Sequence, residues 1–196
     1  MNEHWREGNE RQDPEQQTIM KIILIGIQGA GKSTQGNILS EKLGIPYLST
    51  GHIFRNLARE HTRLGKQIKL IMNAGLLISD KKTLNIVSDY LKRSEYKKGY
   101  IMDGFPRTLN QAEQFINGID KAVYLKISDK EALWRISGRE EEREDETLLA
   151  IRKRIDLFHK FTEPVIEYYR KKGQLVEIDG EKPIEQINQE ILDNLK

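Results

Sequence analysis

Residues 26–34 spell G-I-Q-G-A-G-K-S-T, a combination suited to gripping phosphate. Gly26, then four residues, then Gly31, Lys32 and Ser33 fit the spacing G-x-x-x-x-G-K-[ST]. Gly29 and Gly31 allow positive φ, so successive backbone N–H groups can turn inward toward phosphate oxygens. A helix starting there aims its unpaired amides and its positive dipole end at the same anion. Lys32 has the reach for β- and γ-phosphates, and the Ser33 hydroxyl can ligate magnesium. A second cluster, Asp103-Gly104-Phe105-Pro106-Arg107, adds a carboxylate, a tight turn and a guanidinium. An aspartate ending a buried strand beside a phosphate loop can hold magnesium through its water shell, which makes Asp103 the second metal candidate. Gly104 lets a ligand approach the backbone, Pro106 fixes the turn, and Arg107 offers a rigid fork of donors. Phosphoryl transfer spreads charge over equatorial oxygens, so it needs cations and positioning more than a covalent nucleophile.

These groups must be placed by strands and helices. Met20 to Ile27 is nearly continuous and branched, as a buried parallel strand should be. Residues 33–43 put Ile38, Leu39 and Leu43 on one helical face. Tyr47–Ser49 is a short strand, and Thr50 is the expected N-cap of a helix over 52–62. A helix from Leu64 to Asn73 buries Ile68, Ile71 and Met72 and stops at Ala74-Gly75. Asp80 is the expected cap of a helix over 81–93, with Leu84, Val87 and Leu91 inward. Strands follow at 100–102, 122–127 and 175–178, with helices over 108–117 and 129–138 between them. A long helix reaches about residue 171, and Pro164 should bend or break it. The last helix carries Ile184, Ile187, Ile191, Leu192 and Leu195 on one face. Alternating strands and helices imply a parallel, doubly wound α/β sheet with ligands at the carboxyl ends of its strands.

Bulk composition narrows the function. The 32 basic and 30 acidic residues leave a formal net charge of +2, and with aromatics at 7% a nucleic-acid-binding stripe is a poor fit. With no cysteine there is no disulfide and no Cys-ligated zinc. No apolar run approaches the ~20 residues of a membrane helix. Residues 1–19 are polar and net acidic, unlike a signal or transit peptide, and are expected to form a disordered leader ahead of a single folded domain over 20–196. The expectation is a cytoplasmic monomer that binds neither nucleic acid nor membrane.

The chain resembles the adenylate kinase family of nucleoside monophosphate kinases over essentially all of residues 20–196. The resemblance rests on G-I-Q-G-A-G-K-S-T, S-T-G-H-I-F-R, D-G-F-P-R-T-L-N-Q, and R-I-S-G-R followed by R-E-D-E and R-K-R. A-G-L-L-I-S-D and D-G-E-K-P also match. It implies a three-layer P-loop nucleoside monophosphate kinase fold with a five-stranded parallel sheet. A mobile monophosphate arm would lie at about 50–79 and a lid at about 136–145. The implied activity is reversible, Mg²⁺-dependent transfer of the ATP γ-phosphoryl group to AMP, giving two ADP, without zinc. By resemblance, Gly29, Ala30, Gly31, Lys32, Ser33 and Thr34 wrap the ATP phosphates, Arg135 stacks on the ATP base, and the Lys182 backbone touches it. Thr50, Arg55, Leu76, Leu77, Ile78, Gly104, Phe105, Pro106, Arg107 and Gln111 form the AMP set, with Gln111 on the adenine edge. Arg139, Arg143 and Arg154 join Lys32 and Arg107 around the transferring group, and Arg143 and Arg154 also belong to the AMP set. Arg152 and Lys153 are expected to be a solvated basic face.

Three departures stand out. Gln28 takes the place where the family usually has proline, and His52 that of the usual aspartate, which weakens helix N-terminal charge and makes that corner pH-sensitive. Only three glutamates separate Arg139 from Arg143, so the lid is short and some ATP hydrolysis is expected. Other readings stay open: a UMP/CMP kinase, which Thr50 and Gln111 disfavour; a shikimate- or gluconate-type kinase, which should lack D-G-F-P-R; and a catalytically idle nucleotide-binding scaffold.

Overall fold

Ile22, Ile23, Leu24 and Ile25 are all buried, so the strand they form needs apolar residues on both faces. In the computed structural model, which describes residues 20–138 and 147–195, this strand β1 (Met20–Ile25) is the centre of a five-stranded sheet. It is flanked by β3 (Gly99–Asp103) and β4 (Lys121–Lys126), with Ile22 opposite Ile101 and Lys121. Beyond these lie β2 (Tyr47–Ser49) and β5 (Leu175–Asp179), giving the order β2-β3-β1-β4-β5, every pair parallel. The expected sheet is therefore present, and β1 and β3 end together at the phosphate loop and Asp103.

Helix α1 (Lys32–Leu43) begins inside the loop and buries Gln35, Gly36 and Leu39 rather than a purely apolar face. Tyr47 explains the glycine: a Cβ on Gly36 would come within 2.3 Å of the tyrosine ring. Gln35 and Asn188, both buried, hydrogen-bond each other at 3.2 Å, tying α1 to the last helix, α9 (Ile184–Asn194). The apolar face expected of α9 is thus interrupted by Asn188, while Ile184 is half exposed.

Helices α2 (Thr50–Arg59) and α3 (Arg63–Asn73) pack against each other and against α4 (Asp80–Leu91) around Phe54, Ile68 and Ile78. Two expected caps are corrected. Ser49, not Thr50, caps α2, its hydroxyl accepting from His52 N at 3.3 Å; Thr50 lies inside the first turn and is buried. Asp80 is the first residue of α4 and turns its carboxylate to the segment that follows β3: Thr108 and Asn110 donate to it at 3.0 and 2.7 Å. That carboxylate holds the turn before α5 (Leu109–Gln114).

Helix α6 (Asp129–Ser137) leads toward the expected lid and α7 (Leu148–Leu157) follows it. The lid arginines Arg139 and Arg143 lie outside the described residues, as do most of the lid and residues 1–19. Pro164 does interrupt the long helix. A π-turn over Phe158–Thr162 separates α7 from α8 (Glu163–Lys171), and proline sits in the first turn of α8, where a missing N–H costs nothing. Among the described residues no helix is long and apolar enough to cross a membrane.

Candidate active site

At the carboxyl ends of β1, β2 and β3 the chain encloses a cavity of about 700 Å³. Gly29 and Gly31 line it with φ of 93° and 84°, the left-handed backbone the loop spelling implied. Gly29 has a packing reason too, because a Cβ there would meet Ala132 O at 2.8 Å. Lys32 folds over its own loop, donating to Gly26 O and Ile27 O at 2.8 and 2.9 Å. Its ammonium is therefore already positioned over the backbone nest, and Ser33 and Thr34 open onto the same space.

Asp103 closes the end of β3. Tyr47 donates to its Oδ2 at 3.1 Å, and burial first, then the Asp103 charge, pushes the Tyr47 phenol well above its ordinary range. The other oxygen, Oδ1, is buried without a hydrogen-bond partner among the described residues. Such an orphan costs about 1–3 kcal/mol unless something satisfies it. A metal-bound water would do so, and Ser33 on the same cavity wall supplies a second oxygen. The residues present fit a magnesium ion.

The turn after Asp103 is fixed at several points. Gly104 has φ of 82°, and a Cβ there would press to 2.5 Å from Thr50 Oγ1. Thr50 directs its hydroxyl to Asp103 O at 3.1 Å and does not line the cavity, so it supports the turn from behind. The Phe105–Pro106 peptide is cis. Arg107 Nε donates to Gly104 O at 2.8 Å, and Thr162 of the π-turn donates to Arg107 O at 3.0 Å. Gln111 is 2% exposed, accepting from Arg107 N at 2.8 Å and donating to Asp80 at 2.7 Å. Each end of an amide has capacity for two bonds, so the described bonds of Gln111, which lines the cavity, leave one donor hydrogen and one lone pair unused.

Arg55, Arg107, Arg135 and Arg154 all reach the cavity. Arg135 pairs with Glu131 at 2.6 Å and donates to Gly180 O at 2.9 Å. Arg154 donates to Gln28 Oε1 at 3.2 Å and to Met72 O at 3.0 Å, whereas Arg152 and Lys153 are exposed as expected. Lys182 lines the far end, its ammonium held by Glu190 at 2.8 Å. Leu76, Leu77 and Ile78 form the apolar side.

A family model described as adenylate kinase matches residues 24–174. The chain belongs to the adenylate kinase family. An adenylate kinase of Acetivibrio thermocellus is 34% identical over 212 aligned residues, covering 90% of this chain and 98% of that protein. One of Cyanothece sp. is 38% identical, covering 91% and 97%, and one of Methanocella arvoryzae is 33% identical, covering 88% and 96%. Every described residue of the family-derived set except Thr50 lines this one cavity.

Spelling did not reveal the residues that hold that set. Asp80 reads as a helix cap, Tyr47, correctly placed in a strand, carries no sign of its bond to Asp103, and Gln28 stands out only for replacing the usual proline. The S-D that closes A-G-L-L-I-S-D is the only signal that pointed near Asp80.

Proposed function

We propose that the protein is an adenylate kinase, catalysing reversible, Mg²⁺-dependent transfer of the ATP γ-phosphoryl group to AMP with formation of two ADP. One observation carries this: a single cavity joins the phosphate loop, Asp103 and a group of guanidinium groups to a pocket floored by Gln111 and walled by Leu76 to Ile78. The loop N–H groups and Lys32 hold the ATP phosphates, and Arg55 and Arg107 take the AMP phosphate. The unused donor and acceptor of Gln111 match the exocyclic amine and a ring nitrogen of adenine. Arg135 stacks on the ATP base and the Lys182 backbone meets its edge, the Lys182 side chain being engaged with Glu190. Ser33, and Asp103 through water, would hold magnesium, which when bound neutralises charge on the β- and γ-phosphates.

The AMP phosphate oxygen is ionised at neutral pH, so no general base is required. What the chain supplies is alignment and positive charge, and arginine clamps of this kind contribute roughly 10³–10⁵ in rate. By the resemblance, Arg139 and Arg143 of the short lid at about 136–145, which lie outside the described residues, would serve the same transferring group, and α2–α3 act as the monophosphate arm at about 50–79. We place the protein in the cytoplasm as a monomer acting on ATP, AMP and ADP, without nucleic-acid or membrane partners.

A coupled assay of ATP with AMP, UMP, CMP or GMP tests the proposal. Rapid ADP formation with AMP alone is expected. Saturable nucleotide binding without transfer would overturn catalysis in favour of a scaffold, and preferred turnover of UMP or CMP would overturn the adenine assignment. The same assay without AMP reads the hydrolysis expected from a short lid; undetectable phosphate release would contradict it.

A further inference from the structure

Arg154 is held by two elements that carry different substrates in the proposed reaction. Its Nη1 donates to Gln28 Oε1 at 3.2 Å, on the phosphate loop, and its Nη2 donates to Met72 O at 3.0 Å, in the last turn of α3. The arginine itself comes from α7, 126 positions from Gln28 in sequence. All three residues line the cavity. One planar group therefore spans the loop, the arm and the helix that follows the lid.

An arginine side chain loses several rotatable degrees of freedom when fixed, which is a cost to ordering it. Acceptors on two different elements meet that cost before substrate arrives and orient the plane of the guanidinium. The character of the Gln28 acceptor matters. A carboxylate there would form a charge-assisted bond about twice as strong and would put negative charge beside the bound triphosphate. A neutral amide oxygen orients the cation yet yields it readily to phosphate oxygens. Proline, which the family usually has at this place, offers no side-chain acceptor.

We propose that Gln28 is a positioning residue that presets the Arg154 guanidinium between the phosphate loop and the α3 terminus for phosphoryl transfer. The inference rests on the adenylate kinase reading above. It acts through Arg154 and leaves the loop's own N–H donors unchanged, so it should appear in turnover and not in ATP affinity.

The test is a double-mutant cycle on the full chain with Gln28→Ala, Arg154→Ala and the pair. Gln28→Ala is expected to lower kcat about 3–10-fold with the KM for ATP changed less than about twofold, and to change kcat by less than about 1.5-fold when Arg154 is already alanine. Gln28→Glu should raise the KM for ATP as well, because it adds charge. Calorimetric binding of diadenosine pentaphosphate gives a readout independent of turnover: Gln28→Ala should weaken it about 3–10-fold only when Arg154 is present. Equal losses with and without Arg154, or no loss at all, overturn the inference while an active wild type leaves the function standing. A wild type that forms no ADP from ATP and AMP removes both.

Discussion

The phosphate loop grows out of β1, where Ile22, Ile23 and Leu24 are no more than 1% exposed, whereas the α2–α3 arm facing it sends Ile53 into the main core and otherwise rests on a smaller cluster of Phe54, Ile68 and Ile78. Partly buried Leu57, Ala58, Ile71, Met72 and Ile86 surround that smaller cluster. The two walls of one cavity are thus anchored very differently. Opening free energies within a protein range from near zero to the global value, and a segment with few buried contacts lies toward the low end. A site that must admit two nucleotides and then bring their phosphates together benefits from one fixed wall and one lightly held one. Arg154 joins them through Gln28 and Met72.

The largest effect should come from the fixed wall. Lys32→Ala is expected to cut turnover about 10²–10⁴-fold, since it removes a cation from the transferring group. Stability should barely change, because the described bonds of Lys32 go to two loop carbonyls rather than into the core. Steady-state kinetics beside a thermal melt separate the two, and a near-wild-type rate would refute the role.

The contrast in anchoring can be broken directly by paired truncations. Leu24→Ala deletes a side chain from the sheet core and should cost about 2–5 kcal/mol of global stability. Ile68→Ala removes similar chemistry from the arm, where it should mainly speed hydrogen exchange in α2 and α3 and raise the KM for AMP. If both lower the melting temperature equally, the arm is part of the global unit and the comparison fails.

A third change probes the adenine end of the cavity. Gln111→Ala should raise the KM for AMP about tenfold and lower kcat less, and it should also cost about 1–3 kcal/mol because Arg107 N and Asp80 lose a buried partner. An unchanged AMP dependence would contradict its place at the adenine edge.

The unequal anchoring also explains what could be read from the residues. The loop, β1 and Asp103 are spelled by local rules: branched apolar runs make buried strands, and glycines at fixed offsets make a nest. The strands and their parallel sense follow from alternation, to within two residues at each boundary for β1 and β3, whereas their order in the sheet does not. Long-range polar choices were not legible. Ser49 and Thr50 are both good caps, and only the demand of Asp103 O for a donor decides that Thr50 goes inside. Asp80 has the composition of a cap, but three partners brought by the turn at 108–111 outcompete its own helix N–H groups. Gln35 and Asn188 interrupt two apolar faces because they satisfy each other across 153 positions, which no window on the sequence can see. The alternation of helix and proline predicted a break at Pro164, yet not that the π-turn would deliver Thr162 to Arg107 O.

The smallest expected effect lies on the well-anchored side, where the chain leaves α7. His159 Nδ1 is 2.6 Å from Glu163 Oε1 and its Nε2 is 3.0 Å from Asp129 Oδ1, so the ring joins the π-turn to the first turns of α8 and α6. The hydrogen bond to Glu163, joined by Asp129 and opposed by desolvation, raises the His159 pKa above its ordinary 6.5. A raised folded pKa means the folded state holds the proton more tightly. The stabilisation is therefore complete below about pH 6.5 and is lost as pH rises through the folded value. The ring is nearly half exposed, so solvent screening keeps the gain below about 1 kcal/mol. Urea unfolding at pH 6 and pH 8.5 should show a drop of a few tenths of a kcal/mol for the wild type that His159→Gln removes. Because these contacts belong to the core side, the KM for AMP should not follow the same profile. A parallel shift in AMP affinity would mean that the clamp reaches the arm, and the division between fixed and lightly held walls would have to be redrawn along α7.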